Sequence, residues 1–290
     1  MLFRSWCGMT GAASLGTELR AAGLDWIVPD WPAPANIRAF VTTRTGGVST
    51  GPYATMNLGR RGADDATARA ENLRRFEAFL PGKPAWLDQA HGVAVATLTR
   101  NGCTTPRPIA GADVVRKDVD GCIAPRPIAD AAVTCERDVV CALLTADCLP
   151  VFFADGEGTA VGAAHAGWRG LAAGVLEATI LALANLDVPP DRLMAWLGPA
   201  IGPESFEVGD DVRDAFCATD PGAATCFVRK SPGKWHADLY DLARQRLLRS
   251  GVTLISGGGF CTFTDSARFF SYRRERESGR MAAAVWLAQS

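Results

Sequence analysis

The run Thr159-Ala-Val-Gly-Ala-Ala164 has no charge and no polar–apolar alternation, so it reads as a strand that must be covered on both faces. After the five-residue connection His165-Ala-Gly-Trp-Arg169, helical spacing begins. Residues 170–185 place Leu171, Val175, Ile180 and Leu183 on one face of a single predicted helix. A doubly covered strand followed closely by a helix points to stacked layers of helix and sheet.

The rest of the chain repeats the alternation. Arg38-Ala-Phe-Val-Thr-Thr43 reads as a strand closed by the turn signal Arg44-Thr-Gly-Gly47. Asp64 or Asp65 can cap a helix over 66–79 that carries Leu73, Phe76 and Leu80. Short strands are expected at 84–88, 93–98, 112–115, 139–145, 193–197, near 252–255 and at 282–287. A helix over 238–250 begins at Asp238, aligns Leu239, Leu242, Ala243 and Leu247, and stops at Gly251. The pattern predicts an α/β fold: a layered, mixed β-sheet sandwich flanked by helices, in a single domain. A chain of 290 residues buries a full core without disulfides. Residues 1–36, rich in Gly, Ala, Trp and Pro, read as an N-terminal lead-in of uncertain order ahead of the domain at 37–290. The Pro/Gly-rich stretch 103–127 reads as a loop excursion.

Composition removes several classes. Thirty basic and thirty-one acidic side chains leave a net charge of -1, so no basic field is available for a nucleic acid partner. Nine cysteines, none in a CxxC pair, fit a reducing compartment better than a disulfide scaffold. Arg4-Ser-Trp-Cys-Gly-Met-Thr-Gly11 is too polar and broken for a signal peptide, and runs such as Val139–Leu144 are too short to span a bilayer. A cytoplasmic protein with no membrane partner is expected.

Only three histidines occur: His91, His165 and His236. His91 lies between two predicted strands, His165 ends the buried strand, and Cys148 follows the strand at 139–145. Strand ends are where α/β folds place reacting groups. Two imidazoles and a thiolate suit zinc, and three protein ligands leave a fourth position open for catalysis. Each residue taken singly also fits a packed histidine or an inert buried thiol. Arg169, at the head of a helix beside Gly167 and Gly170, can hold an anion or can simply face solvent. Arg44, at a strand end before a flexible loop, is a second anion candidate, although no P-loop spacing surrounds it. Asp147 is either a proton carrier or a turn residue. His236, just before the helix at Asp238, reads as structural, and the arginines of Phe269-Phe-Ser-Tyr-Arg-Arg-Glu-Arg276 read as a solvated face. No G-x-S-x-G elbow joining a strand to a helix is read, and no HExxH, H-x-E…PCxxC or G-x-G-x-x-G pattern is present.

Four segments, Thr145-Ala-Asp-Cys-Leu-Pro-Val151, His165-Ala-Gly-Trp-Arg-Gly170, Gly198-Pro-Ala-Ile-Gly-Pro203 and Phe269-Phe-Ser-Tyr-Arg-Arg274, closely resemble the laccase-domain family. Its members have been called polyphenol oxidases, purine nucleoside phosphorylases and peptidoglycan editing factors. The resemblance runs from about Arg38 to Leu287, which makes 37–290 the laccase-domain-like catalytic domain. It implies a fold likened to the cysteine-hydrolase fold of a bacterial toxin, with Zn²⁺ held by the catalytic residues His91, Cys148 and His165. The implied activity is phosphorolysis of adenosine, inosine and 5′-methylthioadenosine, with adenosine deamination at the same site. Arg44 and Arg169 are the residues expected to hold phosphate. Ala90 replaces a common valine, and residues 103–137 follow the family's pattern poorly. Three histidines cannot ligate several coppers, so phenol oxidation is expected only if Cu²⁺ replaces Zn²⁺. Two other readings stand beside the phosphorylase: a cysteine hydrolase acting on amino-acylated cell-wall precursors, with Cys148 as nucleophile, and a non-enzymatic partner module.

Overall fold

The computed structural model describes residues 11–104 and 126–289; the strand expected at 112–115 and the first ten residues lie outside them. The strands are β1 Ile37–Val41, β2 Ala85–Trp86, β3 Val95–Thr99, β4 Gly102–Thr104, β5 Ala131–Thr134, β6 Val140–Thr145 and β7 Leu149–Asp155. They continue as β8 Val161–Ala166, β9 Leu193–Leu197, β10 Glu207–Gly209, β11 Phe227–Ser231, β12 Lys234–Ala237, β13 Leu254–Gly257 and β14 Met281–Leu287. The α-helices are α1 Gly11–Ala21, α2 Ala66–Glu77, α3 Trp168–Ala173, α4 Val175–Ala184, α5 Asp210–Cys217, α6 Leu239–Arg249 and α7 Tyr272–Glu275.

Two large sheets carry the fold. One has the order β1-β14-β6-β2, the other β13-β9-β7-β8-β5-β3-β4, and both mix parallel with antiparallel pairs. Strand alternation decides what each face meets. Along β14, Met281, Ala283, Val285 and Leu287 turn toward Phe152, Ala154, Val161 and Ala163 of the larger sheet, while Ala282, Ala284 and Trp286 turn the other way. The outer face of the smaller sheet packs on Leu15 and Leu19 of α1 and Phe76 of α2. The outer face of the larger sheet, through Val151, Phe153, Ala164 and Ala195, packs on α4 and α6. The result is a helix–sheet–sheet–helix order, a mixed α/β single domain as the alternation predicts. Burial on both faces explains why β14 is apolar throughout and why β7 and β8 are apolar except for Asp155 and His165.

Local signals place the helix ends. The Asp65 side chain accepts from the Ala68 N–H at 2.7 Å to start α2, and Asp238 accepts from the Tyr240 and Asp241 N–H groups to start α6. The single helix expected over 170–185 is instead two. It begins earlier, at Trp168, and breaks at Gly174, whose φ of 104° is open to glycine and closed to most side chains. The Gly174 N–H caps α3 on the Gly170 and Leu171 carbonyls, and α4 restarts at Val175. Strand β7 is absent from the predicted set and carries Pro150 as its second residue. The small sheet β10-β12-β11 and helix α5 are also additions to the predicted set. Among the described residues no helix is long and apolar enough to cross a membrane.

Candidate metal centre

Three chain segments meet where β6 passes into β7, where β8 passes into α3, and in the loop between β2 and β3. The Asp147–Cys148 turn is pinned by Asp147. Its carboxylate accepts from the Thr262 hydroxyl at 2.6 Å and the Arg273 N–H at 2.7 Å, and its carbonyl accepts from the Ile201 N–H at 3.0 Å. Of the two roles open to Asp147 in the sequence, this geometry is that of a turn residue. Cys148 follows directly. His165 is the fifth residue of β8 and is buried, and His91 occupies its loop at a φ of 61°.

Asp130, buried just before β5, organises both histidines. One carboxylate oxygen accepts from the His91 N–H at 2.8 Å and the other from the N–H groups of Ala90 at 3.1 Å and Gly92 at 2.7 Å. The first oxygen also lies 3.0 Å from His165 Nδ1, and the Asp130 carbonyl takes the His165 backbone N–H at 2.7 Å. A carboxylate beside Nδ1 holds a proton there, so Nε2 is the nitrogen that would give up its proton to a metal ion. Three consecutive backbone donors around one carboxylate also explain how a non-glycine residue keeps the left-handed conformation at His91.

The ligand atoms of His91, Cys148 and His165 all lie within 4.8 Å of one another. Cys148 Sγ is 3.8 Å from His91 Nε2, and the two imidazoles stand nearly edge to face, 4.8 Å between centroids. Tetrahedral zinc with ordinary Zn–S and Zn–N bonds separates sulfur from nitrogen by about 3.6 Å. The donor set and its spacing therefore fit a zinc-type ion, and three donors fill three of the four positions of a tetrahedral site. Gly167 is required by this packing: a Cβ there would come within 2.9 Å of both Cys148 Sγ and the His91 ring.

Electrostatics make the trio a strong ligand set. Burial alone would raise the Cys148 thiol, but His165 and His91 overcome it and bring the thiol down to about 6. Burial alone would lower His165, but the Cys148 thiolate and Asp130 raise it to about 9. Asp130 is held below the usual carboxylate range. Burial opposes this, and the hydrogen bonds from His165 and Gly92 outweigh it.

The other predicted residues have partners of their own. The Arg44 guanidinium stacks 4.8 Å from the Phe270 ring, donates to the carbonyls of Ala54 and Ser266, and pairs with Glu275 at 3.2 Å. Arg169 is exposed in the first turn of α3 and lies over the Trp168 ring at 4.4 Å. Since α3 has only six residues, its end supplies little dipole. His236 belongs to β12, paired with Glu207 and Val228 in the small sheet and outside the trio. Asp130 was not anticipated. Its one sequence signal is a lone acid within the apolar stretch Ile128–Val133.

A layered α/β protein with two imidazoles and a thiolate converging on one point is the class that fold and centre define. A family model described as multi-copper polyphenol oxidoreductase laccase matches residues 38–288, and the chain belongs to that family. It is 51% identical over 263 residues to the purine nucleoside phosphorylase PA4543 of Pseudomonas aeruginosa, covering 90% of this chain and 98% of that protein. It is 46% identical, with the same coverage, to the purine nucleoside phosphorylase YfiH of Escherichia coli. Its fold superposes on the crystal structure of Neisseria meningitidis NMB0706 with a TM-score of 0.79 at 44% identity, covering 91% of this chain and 100% of that one.

Proposed function

We propose that the protein is a zinc-dependent purine nucleoside phosphorylase acting on adenosine, inosine and 5′-methylthioadenosine, with adenosine deamination at the same site, in the cytoplasm. The convergence of His91, Cys148 and His165 within 4.8 Å is the observation that carries this reading, and the names of the relatives supply the reaction class. In phosphorolysis a phosphate oxygen bonds to C1′ as the C1′–N9 bond breaks, and the electron pair leaves on the purine, which takes up a proton. A zinc ion held by the trio would supply Lewis acidity at a position left open to substrate. Asp130 keeps the His165 tautomer fixed and holds the His91 loop in place. Arg169, exposed beside Gly167, keeps its proposed role toward phosphate. Arg44, which also pairs with Glu275, is proposed to contribute to phosphate binding beside it. Cu²⁺ in place of Zn²⁺ accounts for a phenol-oxidase description in a chain with so few imidazoles.

Incubating metal-quantified protein with adenosine, with and without phosphate, tests the reading. Adenine and ribose 1-phosphate are expected only when phosphate is present, and inosine is expected in either case. Neither product from adenosine would overturn it.

One observation favours the hydrolase as a second reading. Cys148, His165 and Asp130 form a thiolate, an imidazolium and an orienting carboxylate, the arrangement of a cysteine nucleophile with its base, which also gives the cysteine-hydrolase likeness its content. Alkylation separates the two. Zinc-loaded protein should resist iodoacetamide at Cys148. After chelation, the rate should rise with pH to half-maximum near 6 and then level, because only the thiolate reacts. An ordinary thiol would keep accelerating to about pH 8.5. Prompt alkylation of the untreated, zinc-replete protein would favour the hydrolase.

A further inference from the structure

We propose that Arg280 is the principal anion-holding residue of this site, with inorganic phosphate as its ligand; the assignment rests on the phosphorylase reading. Its position follows from strand register. The last ladder pair between β14 and β6 is Met281–Thr145, and one step beyond it Arg280 stands across from the turn Ala146-Asp147-Cys148. No local motif in the sequence marks it, because the turn it faces is 132 residues away in the chain.

The residue is held firmly. Its backbone N–H donates to Asn57 Oδ1 at 2.9 Å, and its carbonyl accepts from the Leu58 N–H at 3.1 Å. Nη1 donates to the carbonyls of Ser278 and Gly279 at 2.8 and 2.9 Å. The aliphatic stem lies flush on Gly59, where a Cβ would stand 3.0 Å from Arg280 Cγ. The Tyr272 ring, 55% exposed, lies 5.5 Å from the guanidinium and covers one face of it.

What the residue lacks is a counter-ion. Arg44 and Arg274 share Glu275, Arg192 has Asp155, and Arg246 has Glu177. Among the described residues Arg280 pairs with no carboxylate, and its Nε and Nη2 have no hydrogen-bond partner. The acidic groups that act on its charge are Cys148, Asp147, Tyr272 and Tyr53, against a burial that disfavours the charge. The Asp147 carboxylate is already engaged by Thr262 and Arg273, and a metal ion on Cys148 would neutralise the thiolate. A half-buried guanidinium left uncompensated is costly. An incoming phosphate removes that cost, and the planar fork suits two of its oxygens.

The test compares the zinc-loaded wild type with Arg280→Met, which keeps the stem, and Arg280→Lys, which keeps the charge. Binding of inorganic phosphate is followed by calorimetry, alongside the KM values for phosphate and adenosine. Arg280→Met should weaken phosphate binding and raise phosphate KM by about 10- to 100-fold, the loss expected for charge-assisted hydrogen bonds. The adenosine KM and zinc content should change little, and Arg280→Lys should recover part of the loss. Phosphate binding by Arg280→Met within twofold of wild type, with zinc and melting temperature unchanged, overturns the proposal. So does a wild type that binds no phosphate. If the wild type binds phosphate through Arg280 yet releases no sugar phosphate from any purine nucleoside, the anion site stands and the phosphorylase reading falls.

Discussion

Cys148→Ala is expected to strip the protein of its metal and to remove turnover of every nucleoside together. The thiolate supplies the one anionic ligand of the trio, 3.8 Å from His91 Nε2 and electrostatically coupled to His165. Without it, two imidazoles remain, too few to hold a structural or catalytic zinc firmly. Losing an outer partner of a metal ligand already costs up to about 100-fold in affinity or activity, so losing a ligand itself should exceed that. The fold should survive, because Asp147, not Cys148, ties the turn to Thr262, Arg273 and Ile201. Metal analysis, nucleoside turnover and a melting curve on one preparation make the check. A Cys148→Ala protein with wild-type turnover would remove the centre from the mechanism, whereas absence of turnover in the zinc-loaded wild type as well as the variant would leave the partner-module reading in its place.

The second large effect is expected at Asp130, which touches neither substrate nor metal. Asp130→Ala leaves three backbone N–H groups and the His165 Nδ1–H without their acceptor in a buried place. Removing one member of a buried charged network destabilises by about 3–5 kcal/mol, here a fall in melting temperature of roughly 5–15 °C. Asp130→Asn is the gentler probe. Its amide keeps the shape but turns a donor toward groups that are themselves donors, so zinc affinity should fall by about 10- to 100-fold, measured by chelator competition. In the metal-free Asn variant His165 loses a carboxylate that raises it. Its imidazole should therefore titrate below its wild-type value of about 9, a shift that NMR reads and that a purely packing role would not produce. Unchanged zinc affinity in both variants would dismiss Asp130 as a positioning residue.

These two residues also show where sequence reading succeeds and where it stops. Cys148, His91 and His165 could be picked out because histidine is scarce, the chemistry of two imidazoles and a thiolate is specific, and the motifs around them resemble a family. Asp130 could not, since a single aspartate in an apolar run looks the same whether it caps, pairs or orients. Arg44 and Arg169 stand out in the sequence only through local turn and helix signals. The structure spends much of Arg44 on Glu275 and Phe270, and it leaves Arg280, which no local signal marked, beside the turn.

The amino-acid order alone determined the strand–helix alternation, a cap at Asp64 or Asp65 and another at Asp238, and the apolar strands that demand cover on both faces. These depend on periodicity and on hydrogen bonds within a few residues, and so are written locally. Tertiary structure decided the break at Gly174, the carboxylate behind both histidines and the arginine across from the cysteine turn. Each is a meeting of chain segments distant in sequence, or a conformation imposed by one, and only the register of packed sheets sets those distances.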